Sequence, residues 1–216
     1  MTGIRTERAP AGAAAATDPA AELVAAARLH PTQAQRTFRA VLDALARPGT
    51  PGRLPGDAPG SVPAVLLPVL ALADLGTGIC VADAAGDPEN WSAVAGVATS
   101  APVAPLEEAA LVTALRTITP DQVRRLRRGD ARRPEDGALL CVPISDVQGG
   151  GRTWRLSGPG VPGELAVAPQ GVPDGLLAAR AEAVAAFPAG IDLLLTTPGG
   201  RVIGLPRSTA IVEEDG

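Results

Sequence analysis

The sequence contains no lysine and no tyrosine, and its 216 residues include one histidine, one methionine, two cysteines, two tryptophans and two phenylalanines. Each scarcity excludes something. Without lysine there is no internal aldimine, so pyridoxal-phosphate catalysis through a protein Schiff base is ruled out. His30 falls between two expected helices with no serine or cysteine beside it to suggest a triad. Cys80 and Cys141 lie in the apolar runs Gly-Ile-Cys-Val and Leu-Leu-Cys-Val. Both read as buried thiols in a reducing compartment. With a single histidine they cannot complete a four-ligand zinc site without carboxylate help, nor hold an iron–sulfur cluster. No apolar run approaches the roughly 20 residues needed to span a bilayer, and the alanines at 13–16 are too weakly hydrophobic for a signal peptide. A cytoplasmic protein without membrane association is the expectation. Net charge is −4, so the basic surplus that neutralises nucleic-acid phosphates is missing. Neither a phosphate-binding P-loop nor a dinucleotide-type glycine fingerprint is present. No metal and no cofactor are expected.

What remains is an apolar share of 46% with an aromatic share of only 2%, so alanine, valine and leucine must fill the core. The length suits one large core. Residues 1–17 are Ala, Gly, Thr and Pro with few large apolars and read as a disordered tail; residues 18–216 read as one α/β domain. Asp18-Pro19 starts a helix that His30-Pro31 breaks. Thr32 can cap the next, in which Phe38, Val41, Leu42 and Leu45 form one apolar stripe. Arg39 and Asp43, four apart, can pair on its other side, and Arg47-Pro48-Gly49 ends it. Residues 63–75 read as a buried helix offset at Pro68, and 78–82 as a strand. Asp87-Pro88-Glu89 opens a helix through Trp91. Residues 111–115 suit either a helix or a strand. Thr119-Pro120-Asp121 caps a helix to Arg128, 137–142 is a strand, 149–151 a turn, 153–156 a returning strand, and 173–187 a last helix. Alternating helices and strands with hairpins imply a three-layer αβα fold with a mixed sheet.

The most informative stretch is 187–209. Residues 191–197 and 201–205 read as the strands of a β-hairpin joined by Pro198-Gly199-Gly200. Asp192 at the start of the first strand and Arg207 past the end of the second are polar outliers in an apolar setting, where a buried acid needs partners. They are either an internal pair or part of a ligand or partner site. Two further features stay open. Six arginines lie between Arg124 and Arg133, as a solvated or partner-facing surface or as an anion site. The glycines of Ser157-Gly158-Pro159-Gly160 let backbone approach a phosphate or another chain segment. All 19 basic residues are arginine, a side chain that binds anions through a two-pronged fork and does not transfer protons. A chain so poor in nucleophiles and bases suits a subunit or binding module. The alternative is a free-standing small-molecule-binding protein or enzyme using only arginine and carboxylates.

Several segments together resemble one family. They are Gln35-Arg-Thr-Phe-Arg-Ala-Val-Leu-Asp-Ala-Leu-Ala-Arg-Pro-Gly49, Val69-Leu-Ala-Leu-Ala-Asp74, Pro134-Glu-Asp-Gly137, Arg155-Leu-Ser-Gly-Pro-Gly-Val161 and the stretch 187–209. Their order and spacing over residues 33–212 are similar to PhnH, a subunit of the bacterial carbon–phosphorus lyase system. The resemblance implies a fold like the large domain of pyridoxal-phosphate-dependent transferases without that cofactor. It also implies a homodimer that joins three other subunit types in a core complex. That complex attaches a phosphonate to the ribose of a purine nucleoside triphosphate and displaces the base; a radical iron–sulfur subunit later cleaves the C–P bond. Two positions depart from the family pattern. Ala98-Thr99-Ser100 stands where a His-Thr pair is often found, and Ala189 replaces a larger residue in the Phe-Pro-Leu-Gly-Ile-Asp motif. Arg39, Arg155, Gly158, Gly160, Asp192 and Arg207, the polar members and glycines of the shared motifs, are the candidates for binding a ligand or partner subunit. No catalytic residue is assigned.

Overall fold

The computed structural model describes residues 18–55, 62–83 and 87–214. The tail expected at 1–17 lies outside the described residues. A six-stranded mixed sheet runs in the order β1-β8-β7-β4-β3-β2. Its members are β1 (Gly52–Arg53), β2 (Ile79–Val81), β3 (Leu111–Thr113), β4 (Leu139–Pro143), β7 (Asp192–Thr196) and β8 (Arg201–Leu205). From β2 to β7 the strands are parallel, whereas β8 and β1 each run antiparallel to their neighbour. The expected hairpin is therefore β7–β8, with Leu194 opposite Gly204, and the ambiguous 111–115 is a strand inside the parallel block.

Both faces of this sheet are covered, as the unbroken apolar runs of its strands require. Residues of the same strand alternate between two cores. Leu193, Leu195, Leu140 and Val142 point into one, with Val123 of α5 (Pro120–Arg125) and Leu176 and Ala179 of α6 (Leu176–Val184). Leu194 and Cys141 point into the other, with Val41 and Ala44 of α2 (Pro31–Ala46). On that second side α1 (Pro19–Ala27), α3 (Leu67–Leu72) and α4 (Trp91–Thr99) also pack, around the buried indole of Trp91.

Helix starts follow the local signals. Asp18 accepts from the Ala20 amide, and Thr119 and Gln122 form a reciprocal capping box. Pro68 falls in the first turn of α3, after a 3-10 turn at Ala64–Leu66, because a proline ring is tolerated there and not further in. The cap of α2 is His30 rather than Thr32: its ring nitrogen accepts from the Thr32 amide while Gln33 reaches back to the His30 amide.

Further expectations are corrected. First, α2 buries Thr37, Val41 and Ala44, while Phe38 and Leu42 remain 43% and 50% exposed. The cause is close packing on β8. A Cβ placed on Gly204 would lie 2.5 Å from the Ala44 carbonyl carbon and 2.8 Å from the Leu45 nitrogen, so only small side chains fit at the contact and the large ones move to the flank. On the same helix Asp43 pairs with Arg47, at 3.2 Å, rather than with Arg39. Second, α5 ends at Arg125, not Arg128. Third, β5 (Thr153–Ser157) does not return against β4. It is the centre of a separate antiparallel sheet between β6 (Glu164–Val167) and β9 (Ala210–Glu214). Strands β6 and β9 were not expected. Trp154, Leu156 and Val167 of this small sheet complete the core that α5 and α6 share with the main sheet.

Candidate functional site

Asp192 and Arg207 are each other's partners. The Asp192 carboxylate accepts from the Arg207 backbone amide at 2.8 Å, from Nε at 3.1 Å and from an Nη at 2.6 Å. The other Nη donates to the Pro134 carbonyl oxygen. Their side chains are only 24% and 12% exposed. A second arginine, Arg180 of α6, reaches the same loop. It is buried and donates to the carbonyl oxygens of Pro206 at 2.6 Å and Thr209 at 3.1 Å. Burial pulls its pKa down to about 10, against the opposing pull of the Asp192 charge. The loop 206–209 is thus tied to β7 through Asp192 and to α6 through Arg180. Arg180 carries no motif that would have revealed this; only the long-range packing of α6 does.

Gly158 and Gly160 approach protein, not open space. A Cβ on Gly158 would lie 2.8 Å from the Ser208 carbonyl oxygen. Gly160, at φ +81°, packs against the Ala46 carbonyl and lies where a Cβ would be 2.9 Å from Pro48 Cδ. Arg155, on β5, bridges its sheet: it donates to Glu214 at 2.6 and 2.8 Å and to Glu164 at 3.3 Å. Glu214 first, then Glu164, raises its pKa. The arginine cluster at 124–133 is largely neutralised. Arg124 binds Glu182 and Asp121, Arg125 binds Glu107, and both Arg127 and Arg133 meet Asp136. It ties α5 to α6 and to neighbouring loops.

Arg39 is placed differently. It lines a groove of about 270 Å³ between α2 and the edge strand β1, together with Arg36, Arg47, Arg53, Asp43 and Thr50. Arg39, Asp43 and Arg47 follow one another at intervals of four along one face of α2, and Arg53 faces them from the sheet edge. Arg39 and Arg53 bring guanidinium groups to the groove from two elements, and Asp43, the one carboxylate among its described lining residues, is held by Arg47. An adjoining cavity shares Arg47 and Thr50 and is walled by Gly160, Val161 and Pro162. Of the six candidates from the sequence, Arg39 lines this groove and Gly160 only the cavity next to it. Asp192 and Arg207 sit at the loop clamp with Gly158 beside it, and Arg155 is in the small sheet. The Arg39-x₃-Asp43-x₃-Arg47 spacing was visible in the sequence; the approach of Arg53 was not. A larger cavity, about 510 Å³, opens beside Trp154 and Gln170, but its arginine, Arg152, is already paired with Glu213 at 3.3 Å.

The motif segments quoted above meet in space. The 35–49 helix end touches Gly160, Gly158 touches the 206–209 loop, and that loop is bound to Pro134 through Arg207. A family model described as bacterial phosphonate metabolism protein (PhnH) matches residues 26–212. The chain belongs to the PhnH family. It is 30% identical over 202 residues to the alpha-D-ribose 1-methylphosphonate 5-triphosphate synthase subunit PhnH of Rhizobium meliloti (strain 1021), covering 84% of this chain and 92% of that one. It is also 39% identical over 85 residues to the putative C-P lyase subunit protein HtxG of Stutzerimonas stutzeri, covering 39% and 43% respectively. In this PhnH-family chain, groups of three or more His, Cys, Asp or Glu able to hold a metal ion are absent among the described residues. No helix among them is long and apolar enough to cross a membrane.

The two thiols differ. Cys141 is fully buried between β3 and β7, and burial raises its pKa from 9.0 to about 12. Cys80 is half-buried rather than buried, with its pKa raised by burial and by Glu107. A thiol-reactive chromogenic disulfide at pH 8 is expected to modify Cys80 slowly and Cys141 only after denaturation; two fast native thiols would contradict this packing. The sign of the pH effect follows from linkage. Because the folded value of Cys141 is the higher one, its contribution is complete below the unfolded value of 9.0 and is lost as pH rises toward about 12.

Proposed function

We propose that this chain is a subunit of a carbon–phosphorus lyase core complex, supporting transfer of an alkylphosphonate to the ribose C1 of a purine nucleoside triphosphate with loss of the base. It acts there as a homodimer beside the other core subunits, as a structural or co-catalytic component with no cofactor of its own. Its fold is read as that of a pyridoxal-phosphate transferase large domain without the lysine. The reading is supported by the mutual packing of the motif segments: the residues shared with the family build one scaffold in this chain, and the identity to the synthase subunit runs over 84% of it.

The experiment is co-expression of the tagged chain with the other core subunits. Co-elution as a stoichiometric complex, with base release from a purine nucleoside triphosphate requiring the assembled set, is the expected result. Conversion of phosphonate and nucleotide by the chain alone, or failure to co-elute, would overturn it.

A further inference from the structure

We propose that the cavity of about 510 Å³ beside Trp154 binds a small neutral molecule whose carbonyl oxygens sit on a compact apolar body, as in a cyclic amide or imide. The proposal stands on the cavity itself and does not depend on the core-complex reading above.

The donors come from two elements. On β5, Trp154 is 3% exposed and lines the cavity. A buried indole N–H ordinarily finds an acceptor, and that of Trp91 does so in Glu89, at 2.8 Å. The Trp154 N–H has no hydrogen-bond partner among the described residues, yet it is not one of the side-chain atoms sealed from solvent. The opening beside it is the cavity.

The second set lies at the start of α6. Gly175 occupies the N-cap position and has no side chain to offer, so the first-turn amides depend on backbone and solvent. The Leu176 amide donates to the Pro173 carbonyl at 3.2 Å, and that of Ala179 to the Gly175 carbonyl at 3.0 Å. Between them, the amides of Leu177 and Ala178 have no protein acceptor among the described residues, and both residues line the same cavity. Three N–H groups thus border one space without an acceptor.

Charge decides which kind of acceptor suits them. The charged lining residues are Arg152, Asp174 and Glu213, and Arg152 is paired with Glu213 at 3.3 Å. Asp174 is left as a carboxylate next to the helix start, where it repels a phosphonate or a second carboxylate. A carbonyl oxygen accepts from N–H groups without net charge, and the positive end of a helix favours its partial negative charge. Pro169, Val172 and Pro173 supply apolar wall, and Gly150 and Gly151 leave part of it without side chains. The volume falls within the roughly 300–1,000 Å³ of small-molecule sites.

The test is a nitrogen–proton correlation spectrum of the isotopically labelled full-length chain, titrated with the cyclic amide 2-pyrrolidone. The two tryptophans give two indole signals, and Trp154→Phe assigns them. The Trp154 indole and the amides of Leu177 and Ala178 are expected to shift along one saturable curve, with a Kd in the millimolar range open to so small a fragment. The Trp91 signal should stay fixed, because its N–H already has Glu89. Trp154→Phe keeps an aromatic wall and removes the donor. Followed at the two amides, its affinity should fall about fivefold, the scale of one neutral hydrogen bond. Acetate and methylphosphonate should leave the three signals unmoved at concentrations where 2-pyrrolidone saturates.

No saturable shift in the parent, or equal shifts of both indoles, would overturn the proposal and leave the cavity to solvent. Tighter binding of acetate or methylphosphonate would overturn it by making this an anion site. Unchanged affinity in Trp154→Phe would remove the indole from the site and the proposal with it. The parent titration decides the matter even where the variant fails to fold.

Discussion

Asp192→Ala is expected to lower the melting temperature by roughly 6–12 °C. The carboxylate is the acceptor for three Arg207 groups, and both side chains are largely withdrawn from solvent. Removing one partner of such a pair leaves the other charge poorly solvated, at a cost of about 3 kcal/mol. In a domain of this size each kcal/mol moves the midpoint by roughly 2–4 °C. The comparison that isolates the pair is a double-mutant cycle with Arg207→Met, in which the double variant should be markedly less destabilised than the sum of the singles. Arg155→Ala supplies the contrast. That guanidinium is 42% exposed and its partners are surface carboxylates, so its removal should leave the melting temperature nearly unchanged. An Asp192→Ala variant that melts with the parent would mean that the clamp adds nothing to stability.

Gly204→Ala is expected to be destabilising on a similar scale. The added methyl group would enter the backbone of α2, with the Ala44 carbonyl carbon at 2.5 Å and the Leu45 nitrogen at 2.8 Å. Backbone cannot rotate away as a side chain can, so the helix must lift from β8. Overpacking of this kind costs about 1–3 kcal/mol, and the contact places Gly204 at the upper end. Lifting α2 would also strain the hydrogen bond from the Gly49 amide to the Gly204 carbonyl, now 3.0 Å, and would widen the arginine groove that α2 borders. Gly151→Ala is the matched control, because a Cβ there meets nothing within 4 Å. Equal melting temperatures for the two variants would refute the packing account.

Short-range chemistry made much of this fold legible. Asp18, Thr119 and the prolines after them mark helix starts because an N-cap needs only a side-chain oxygen and the next few amides. The β7–β8 hairpin was readable because its turn residues and its apolar strands are contiguous in the chain. Placement of α2 was not, since its stripe of large residues pointed to Phe38 and Leu42 while the partner surface at Gly204 accepts only small ones. Strand 153–157 was legible as a strand but not as a member of a second sheet, because its paired residues lie 7 to 13 positions ahead on β6 and 53 to 61 positions ahead on β9.

By itself, then, the sequence determined the class of protein. It has no lysine for a Schiff base, one histidine with no serine or cysteine beside it, an Ala-, Val- and Leu-filled core for a sheet covered on both faces, and motifs shared with PhnH. Tertiary structure alone decided what the polar residues of those motifs do. Asp192 and Arg207 neutralise each other because the turn after β8 brings them within hydrogen-bond reach, and Gly158 and Gly160 serve close packing because other backbone occupies the space beside them. Arg39 joins a cationic groove because β1 carries Arg53 to the open side of α2. Local signals act over a few residues, whereas burial, pairing and charge balance depend on which distant segments pack together.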